Sequence, residues 1–389
     1  ARGPAPPGTL DWEEFLARAE AVDPDEIEAR TAAIRPEDLS DIMFTSGTTG
    51  RPKGVLATHA QTLRVYAQSA ETGEFRRGER YLIPSPFFHS FGYKYGIVVS
   101  LVAGATMLPL AVFDPDGALE LIQAERVNRL PGPPTVFLSL LNHPRLAEYD
   151  LSSLRAGAIG AAGISEGLIE RIKRELGYEL LLSAYGLTEA TATVTSCVRG
   201  DDPETIATTS GRPIPDVEVR IVDDAGNALP AGDSGEIWVR GYNVMQGYFE
   251  DPQATAEALT PDGWLRTGDI GHLDERGYLS ITDRKKDMFI VGGFNAYPAE
   301  IESLLLQNPA IDQAAVIGVP DERLGEVGKA FVTLRAGSTA GPEELRAWAR
   351  EQMANYKVPR SFEILGELPL TPSGKVMKHV LRERQGARP

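Results

Sequence analysis

A run of hydroxyl-bearing residues and glycines near the start of the chain has the composition of a phosphate-binding loop. The run reads Thr45-Ser46-Gly47-Thr48-Thr49-Gly50-Arg51-Pro52-Lys53-Gly54. Its hydroxyl groups can donate to phosphate oxygens, its glycines let backbone N–H groups approach a ligand, and Lys53 adds a positive charge. It is not a Walker loop, since Gly54 follows the lysine where that motif has Ser or Thr. A polar surface turn is the alternative, but this density of hydroxyls and glycines favours a phosphate site.

The residues on either side predict the elements that hold this loop. The apolar run before it, residues 41–44, is short enough for a buried strand, and residues 58–70 have a helix-like pattern. We therefore expect the loop to lie between a strand and a helix.

Further short motifs follow the loop along the chain. They are Tyr185-Gly186-Leu187-Thr188-Glu189, Trp264-Leu265-Arg266-Thr267-Gly268-Asp269, Asp283-Arg284-Lys285-Lys286-Asp287, Gly292-Gly293-Phe294-Asn295-Ala296-Tyr297-Pro298 and Pro369-Leu370-Thr371-Pro372-Ser373-Gly374-Lys375. Together with the loop, in this order, they resemble the acyl-adenylate-forming superfamily, which contains acyl-CoA synthetases, carrier-domain adenylation modules and firefly-type luciferases. The resemblance extends from about residue 41 to the C-terminus.

This resemblance implies a two-step acid–thiol ligase reaction with ATP, coenzyme A and a small-molecule carboxylic acid as substrates. The carboxylate attacks the α-phosphorus of ATP to give an acyl-adenylate and pyrophosphate, and a thiol then displaces AMP. Bringing two anions together costs on the order of 4 kcal/mol per charge pair at an effective dielectric of about 20, so positive charge must converge on the site. Lys375 is expected to bridge the carboxylate and the α-phosphate, and an exposed loop lysine is the alternative.

The resemblance also implies roles for other residues. Glu189, helped by Thr45, would hold a magnesium ion, which takes few protein carboxylates. Thr188 would donate to the α-phosphate and Tyr185 would lie against the adenine, although a tyrosine packed in a sheet is the alternative. The other cofactor-binding positions implied are Ala161 and Ala162 beside the adenine, Ser183, Ala184 and Gly186 around Tyr185, Asp269 with Arg284 at the ribose, and Gly292 and Gly293 along the pantetheine tunnel. Lys53 and His89 complete the expected catalytic set with Lys375; His89 would position or gate the acyl group, and a structural histidine is the alternative.

Composition narrows the class of protein. The chain has 389 residues and a formal net charge of −16, which argues against nucleic-acid partners and anionic membranes because both require basic surfaces. A single cysteine, Cys197, excludes an internal disulfide and is typical of a reducing compartment, so we expect a cytoplasmic protein. The uncharged residues 96–113 are interrupted by Gly104 and Pro109, which indicates core elements and no membrane span. The sequence leaves the oligomeric state open, including a homo-oligomer.

The pattern of elements predicts an α/β fold in several parts. Residues 41–283 would form a large domain of layered α/β sheets, with an α/β part at 41–200 and a small β-rich part at 201–283. In the β-rich part we expect short strands that include residues 217–222 and 236–240. Residues 284–389 would form a small, mobile α+β C-terminal domain, with helices at 298–307 and 342–354 and its hinge at Lys286 by motif alignment. Residues 1–40 would be a linker and partial N-terminal segment. Because relatives have a longer region before the phosphate loop, we expect a fragment whose large domain is incomplete at its N-terminus.

Two segments bear on the substrate. Residues 87–94 and 241–248 look most like the acyl-CoA ligases of bacterial steroid catabolism, which act on an indanedione-propanoate. Their Phe, Tyr and Gly content suits a bulky alicyclic acid at least as well as a straight-chain acid. A medium- or long-chain fatty acid:CoA ligase is the alternative within the enzymes. An amino-acid-activating module is disfavoured, because residues 87–96 contain Lys94 and no acidic residue. A truncated nucleotide-binding fragment without activity is the alternative outside the enzymes.

Overall fold

The computed structural model describes residues 8–45, 52–160, 164–284, 287–291, 294–370 and 376–385. In chain order the strands are β1 (Leu39–Thr45), β2 (Lys53–Thr58), β3 (Arg80–Ile83), β4 (Thr106–Pro109), β5 (Ala156–Ile159), β6 (Leu180–Tyr185), β7 (Thr195–Ser196), β8 (Arg212–Pro213), β9 (Val217–Val222), β10 (Gly235–Gly241), β11 (Gly247–Tyr248), β12 (Leu265–Leu273), β13 (Leu279–Arg284), β14 (Phe289–Val291), β15 (Phe294–Ala296), β16 (Ile311–Asp321), β17 (Gly325–Leu334) and β18 (Ser361–Ile364). The helices are α1 (Trp12–Ala17), α2 (Pro24–Ala33), α3 (His59–Thr72), α4 (Ser90–Gly92), α5 (Val99–Ala103), α6 (Pro115–Ala124), α7 (Pro134–Leu141), α8 (Glu166–Glu175), α9 (Pro203–Thr208), α10 (Pro252–Ala258), α11 (Pro298–Leu305), α12 (Pro342–Gln352) and α13 (Lys378–Arg384). Short turns of other helix types lie at Arg18–Ala21, Tyr93–Val98, Leu146–Glu148 and Thr188–Ala190.

Parallel strands form the central layer of the larger part of the molecule. β3 pairs with β4 and β5 with β6, and single bridges at Arg129 connect β3 to β5. The strands are apolar, and α6, α7 and α8 bury Leu119, Phe137 and Ile169 in the same core. The predicted α/β layer is therefore confirmed. Because β5 and β6 are parallel, their carboxyl ends lie side by side at the same end of the sheet.

A second, antiparallel sheet has the order β1-β2-β11. Thr45 at the end of β1 lies opposite Lys53 at the start of β2, so the two strands that flank the predicted phosphate loop pair as a hairpin. The prediction that a helix directly follows this loop is wrong, since β2 lies between them; its apolar run, residues 55–57, is too short to stand out in the sequence. The helix begins where expected, with Thr58 and Gln61 forming a capping box at the start of α3.

The β-rich part is an antiparallel sheet in the order β13-β12-β10-β9. Alternate side chains of its strands point into one core, which contains Ile221, Val239, Leu265 and Leu279. The strands predicted in this part, β9 and β10, are confirmed.

The C-terminal part is an α+β unit around the sheet β15-β14-β17-β16, with β18 parallel to β17. Neighbouring residues of β16 enter different cores: Val316 packs with α11 and α12, and Ala315 packs with Leu381 of α13. Helices thus cover both faces of the sheet, because successive side chains of a strand point to opposite faces. The predicted helices at 298–307 and 342–354 correspond to α11 and α12.

The uncharged stretch at 96–113 divides as expected. α5 ends at Gly104, whose φ of 67° is left-handed, and β4 follows. Within the described ranges, no helix has the length and apolar character to cross a lipid bilayer.

A buried ion cluster of Glu79, Arg129 and Arg155 lies beside the parallel layer. Glu79 accepts a hydrogen bond from Arg129 at 3.1 Å and another from Nε of Arg155, and the three side chains are at most 9% exposed. Burial by itself would raise the pKa of Glu79, but the hydrogen bonds from Arg155 and from the backbone of Arg76, with the charge of Arg129, lower it below its ordinary value of 4.5. The charged form of Glu79 is thus favoured by folding.

Glu79→Gln should lower the free energy of unfolding at neutral pH by about 2 kcal/mol, because two buried guanidinium groups lose their counter-charge. Since the pKa of Glu79 is lower in the folded than in the unfolded protein, this stabilisation is present above the unfolded pKa and is lost as the pH falls through the folded pKa. Urea unfolding at neutral and acidic pH measures the gap between wild type and variant. Glu218→Gln, which removes the exposed partner of Arg240, is the control and should change little. A gap that did not narrow in acid would contradict the role of the Glu79 charge.

Candidate active site

Pairing between β1 and β2 holds the two residues that flank the predicted phosphate loop. Thr45 and Lys53 are both half-buried and face each other across the hairpin. Ser46, Gly47, Thr48, Thr49 and Gly50 lie outside the described residues. The assignment of this loop to the phosphates stays a prediction, because the structure describes the two ends of the loop and not its centre.

Of the residues predicted for the adenine site, those that the structure describes lie at the end of β6, beside the parallel strand β5. Ile159 of β5 pairs with Ser183 of β6, and Ala184 and Tyr185 end β6. Ser183 and Tyr185 are buried, whereas Ala184 and Gly186 are exposed at the strand end. Ala161 and Ala162, which follow β5, lie outside the described residues. An edge formed by parallel strand ends is the usual place for a nucleotide in an α/β sheet.

The structure brings Tyr185 and Asp269 into direct contact. The Tyr185 hydroxyl donates to Oδ2 of Asp269 at 2.6 Å, and both residues are less than 9% exposed. Asp269 lies opposite Arg284 in the ladder between β12 and β13; the side chain of Arg284 lies outside the described set. Tyr185, predicted to contact the adenine, and Asp269, predicted to contact the ribose, are therefore neighbours, and the carboxylate of Asp269 is buried.

Thr188 and Glu189 lie in a tight turn after β6. Thr191 and Ala192 have φ angles of 52° and 64°, which are uncommon for residues with a side chain. A Cβ on Gly186 would lie 2.1 Å from the carbonyl oxygen of Ala192, so only glycine fits there. The turn folds back tightly on the end of β6. Thr188 and Glu189, which are both half-buried, therefore lie close to the end of this strand.

Tyr248 contacts the carboxylate of Glu189. Its hydroxyl donates to Oε1 at 2.9 Å, and Nζ of Lys53 lies 5.0 Å from the centre of its ring. Burial and the nearby Glu189 charge raise the pKa of Tyr248, so the hydroxyl keeps its proton. The sequence indicated that the segment around Tyr248 bears on the acid substrate, and this contact with Glu189 was not predicted. The contact depends on the pairing of Tyr248 with Val55, which are far apart in the chain, so no local sequence pattern reveals it.

His89 begins the helical segment that follows the aromatic run. Its Nδ1 accepts a hydrogen bond from the backbone N–H of Phe91 at 3.2 Å, so the ring caps α4. A π-helical turn follows, a feature frequent at functional sites. Phe87 and Phe88 are exposed beside it. The ring of His89 is thus held by the backbone of Phe91, and its positioning role stays a prediction.

Lys94 of the same segment is buried and paired. Its Nζ lies 3.1 Å from Oδ1 of Asp41 and donates to Oγ1 of Thr62 at 3.0 Å. Oδ1 of Asp41 has no well-aligned hydrogen bond, so its contact with Lys94 is mainly one of charge. Burial lowers the pKa of Lys94, and Asp41 partly offsets this. The pair joins β1, which leads to the phosphate loop, to the segment that contains His89.

The protein ligands near Glu189 suit a magnesium ion that also takes ligands from the bound substrate. In the described part of the chain, no group of three or more His, Cys, Asp or Glu residues could hold a metal by itself. Magnesium is usually bound through one or two carboxylates with phosphates and waters completing its shell. Oε1 of Glu189 accepts a hydrogen bond from Tyr248, and Oε2 is the carboxylate oxygen that could bind the ion. Glu189 therefore fits a magnesium site that forms together with ATP.

Other predicted positions are not described by the structure. Lys375, Lys286, Gly292 and Gly293 lie outside the described residues. Their roles stay predictions that rest on the motifs.

Comparison with known proteins identifies the family. The model of the AMP-binding enzymes matches residues 5–249, and that of the AMP-binding enzyme C-terminal domain matches residues 300–375. The chain belongs to the AMP-binding enzyme family. It is 51% identical over 379 residues to a (7a-methyl-1,5-dioxo-octahydro-1H-inden-4-yl)propanoyl:CoA ligase of Rhodococcus jostii, across 97% of this chain and 72% of the relative.

A ligase of the same name from Mycobacterium tuberculosis is 50% identical, across 96% of this chain and 71% of the relative. The solved structure of ATP-bound MatB from Rhodopseudomonas palustris superimposes with a TM-score of 0.83 at 34% identity, covering 90% of this chain and 69% of MatB. The predicted fold class and enzyme class are confirmed. The chain is an ATP-dependent, AMP-forming acyl-CoA synthetase.

Proposed function

We propose that the acid activated by this synthetase is a bulky bicyclic propanoate of the indanedione class. The observation that carries the proposal is the 51% identity, over nearly the whole chain, to a ligase named for such a propanoate. The exposed side chains of Phe87 and Phe88 support it, because flat aromatic faces beside His89 suit a rigid alicyclic ring system.

We further propose that nucleotide binds along the edge formed by β6, the Glu189 turn and β12. Tyr185 would lie against the adenine while Asp269 accepts from the ribose, and their mutual hydrogen bond supports this because it fixes both groups before ATP arrives. Thr188 and the loop from Thr45 to Lys53 would donate to the phosphates. Glu189 and Thr45 would hold magnesium, which when bound would neutralise phosphate charge.

The division of labour between the parts is also a proposal. The large domain at 41–283 would bind the substrates, and the domain at 284–389 would bring Lys375 to the α-phosphate and, after turning about Lys286, Gly292 and Gly293 to the thiol. The separate cores of the C-terminal sheet support independent folding of that part. The single cysteine and the use of ATP and CoA support a cytoplasmic location.

A panel of carboxylic acids tests the substrate. The indanedione-propanoate, octanoate, palmitate and a cinnamate would each be incubated with ATP, magnesium and CoA, and pyrophosphate release and the acyl-CoA product would be measured. We expect kcat/KM for the bicyclic acid to exceed that for the others by on the order of tenfold or more, since a shaped pocket discriminates at that level. Preference for a fatty acid would overturn the substrate. ATP binding without turnover of any acid would indicate a nucleotide-binding fragment.

A further inference from the structure

We infer that Tyr248 is a positioning residue that orients the carboxylate of Glu189 for the metal ion. The contact that carries the inference is the hydrogen bond of 2.9 Å from the Tyr248 hydroxyl to Oε1 of Glu189. It satisfies one oxygen and leaves Oε2 for a cation. The inference rests on the proposal that Glu189 holds magnesium.

The backbone around Tyr248 ties the Glu189 turn to the phosphate-loop hairpin. The N–H of Met245 donates to the carbonyl of Glu189 at 2.8 Å, and the N–H of Gln246 donates to the carbonyl of Leu56 on β2 at 3.0 Å. Beyond Tyr248, the N–H of Phe249 donates to the carbonyl of Gly54 at 2.7 Å. This short segment therefore has one end on the turn and the other on the strand that begins at Lys53.

The far side of the turn is fixed as well. Asn243 is fully buried, and its Nδ2 donates to the carbonyl of Thr193 at 2.8 Å. The hydroxyl of Thr191 donates to the carbonyl of Asn243 at 2.8 Å, and that of Tyr66 donates to the carbonyl of Thr191 at 3.1 Å. With the backbone of the turn held in this way, the remaining freedom lies in the side chain of Glu189, whose carboxylate accepts a hydrogen bond from Tyr248.

The ring of Tyr248 is itself held. Tyr248 pairs with Val55 in the sheet, and Lys53 lies over its face at 5.0 Å. The hydroxyl is therefore a fixed donor, and a fixed donor limits the carboxylate to few orientations. Groups that hold metal ligands in this way commonly change metal affinity by about 10- to 100-fold when removed.

The test is Tyr248→Phe, which keeps the ring and removes the donor. Calorimetry would measure ATP affinity with magnesium and with EDTA, in the absence of acid and CoA. We expect the gain in ATP affinity on adding magnesium to shrink about tenfold, while affinity in EDTA is unchanged. Tyr242→Phe is the matched control: its hydroxyl donates to Gln68 at 2.9 Å and does not contact Glu189, so the magnesium-dependent gain should stay at the wild-type level.

The variants Glu189→Gln and Glu189→Gln/Tyr248→Phe separate the possible failures. We expect Glu189→Gln to reduce the magnesium-dependent gain and the double variant to behave like it, because Tyr248 acts through Glu189. If Glu189→Gln reduced the gain and Tyr248→Phe did not, the positioning role alone would be wrong. If Glu189→Gln left the gain intact, the metal assignment would fail and the inference with it. An equal loss of ATP affinity with magnesium and with EDTA in Tyr248→Phe would indicate a packing role and overturn the inference.

Discussion

Lys375→Ala should nearly abolish formation of the acyl-adenylate while leaving the transfer of a pre-formed adenylate to CoA intact. The motif places Lys375 where it would meet the carboxylate and the α-phosphate as negative charge develops. Removing one such donor costs about 10² to 10³ in rate. The second step displaces AMP and does not need this bridge. ATP-dependent pyrophosphate release and single-turnover transfer from synthetic acyl-adenylate measure the two steps separately.

Lys378→Ala is the control for this change. Lys378 lies close in sequence, and its Nζ pairs with Oε1 of Glu302 at 2.8 Å, so it is occupied within the C-terminal part. We expect its loss to leave adenylation near the wild-type rate. Near-normal pyrophosphate release by Lys375→Ala, or equal losses from the two lysines, would remove Lys375 from the catalytic set.

Several strands of the molecule could be predicted because local sequence determines them. β9 contains alternating apolar residues bounded by turn residues, and its predicted limits agree with the structure. β2 and β11 were missed, because their apolar runs are short and their pairing joins distant parts of the chain. The strand character of Tyr248 comes from β2, which supplies the pairing partner.

The site was predictable as a set of residues but not as a set of contacts. Tyr185 and Asp269 were identified by their motifs, yet they are 84 residues apart, and the hydrogen bond between them depends on how β6 meets β12. Tyr248 stands outside the expected nucleotide motifs and had no local signal that pointed to Glu189. Lys94 was noted only for what it excluded as a substrate, because its partner Asp41 lies in a different element. Such contacts are properties of tertiary packing.

The pair formed by Lys94 and Asp41 leads to the second large effect. Lys94→Met should lower the free energy of unfolding by about 3 kcal/mol, because it leaves the Asp41 carboxylate buried without its cation. The side chains are 2% and 10% exposed, so water screens the lost charge poorly. Ser40 still donates to Asp41 at 2.6 Å, which partly compensates and keeps the cost at the lower end for a buried pair. Urea unfolding followed by circular dichroism measures the change.

Two further variants decide whether the charge of Asp41 is the cause. Asp41→Asn/Lys94→Met removes both charges at once and should be more stable than Lys94→Met alone, since no unpaired ion remains. Lys329→Met is the matched control, because Lys329 pairs at 2.8 Å with Glu363, which is 38% exposed, and an ion pair open to water contributes at most about 1 kcal/mol. If the double variant were no more stable than Lys94→Met, the loss would come from packing of the lysine stem. In that case the tie between β1 and the His89 segment would be apolar, and the charge of Lys94 would have no structural role.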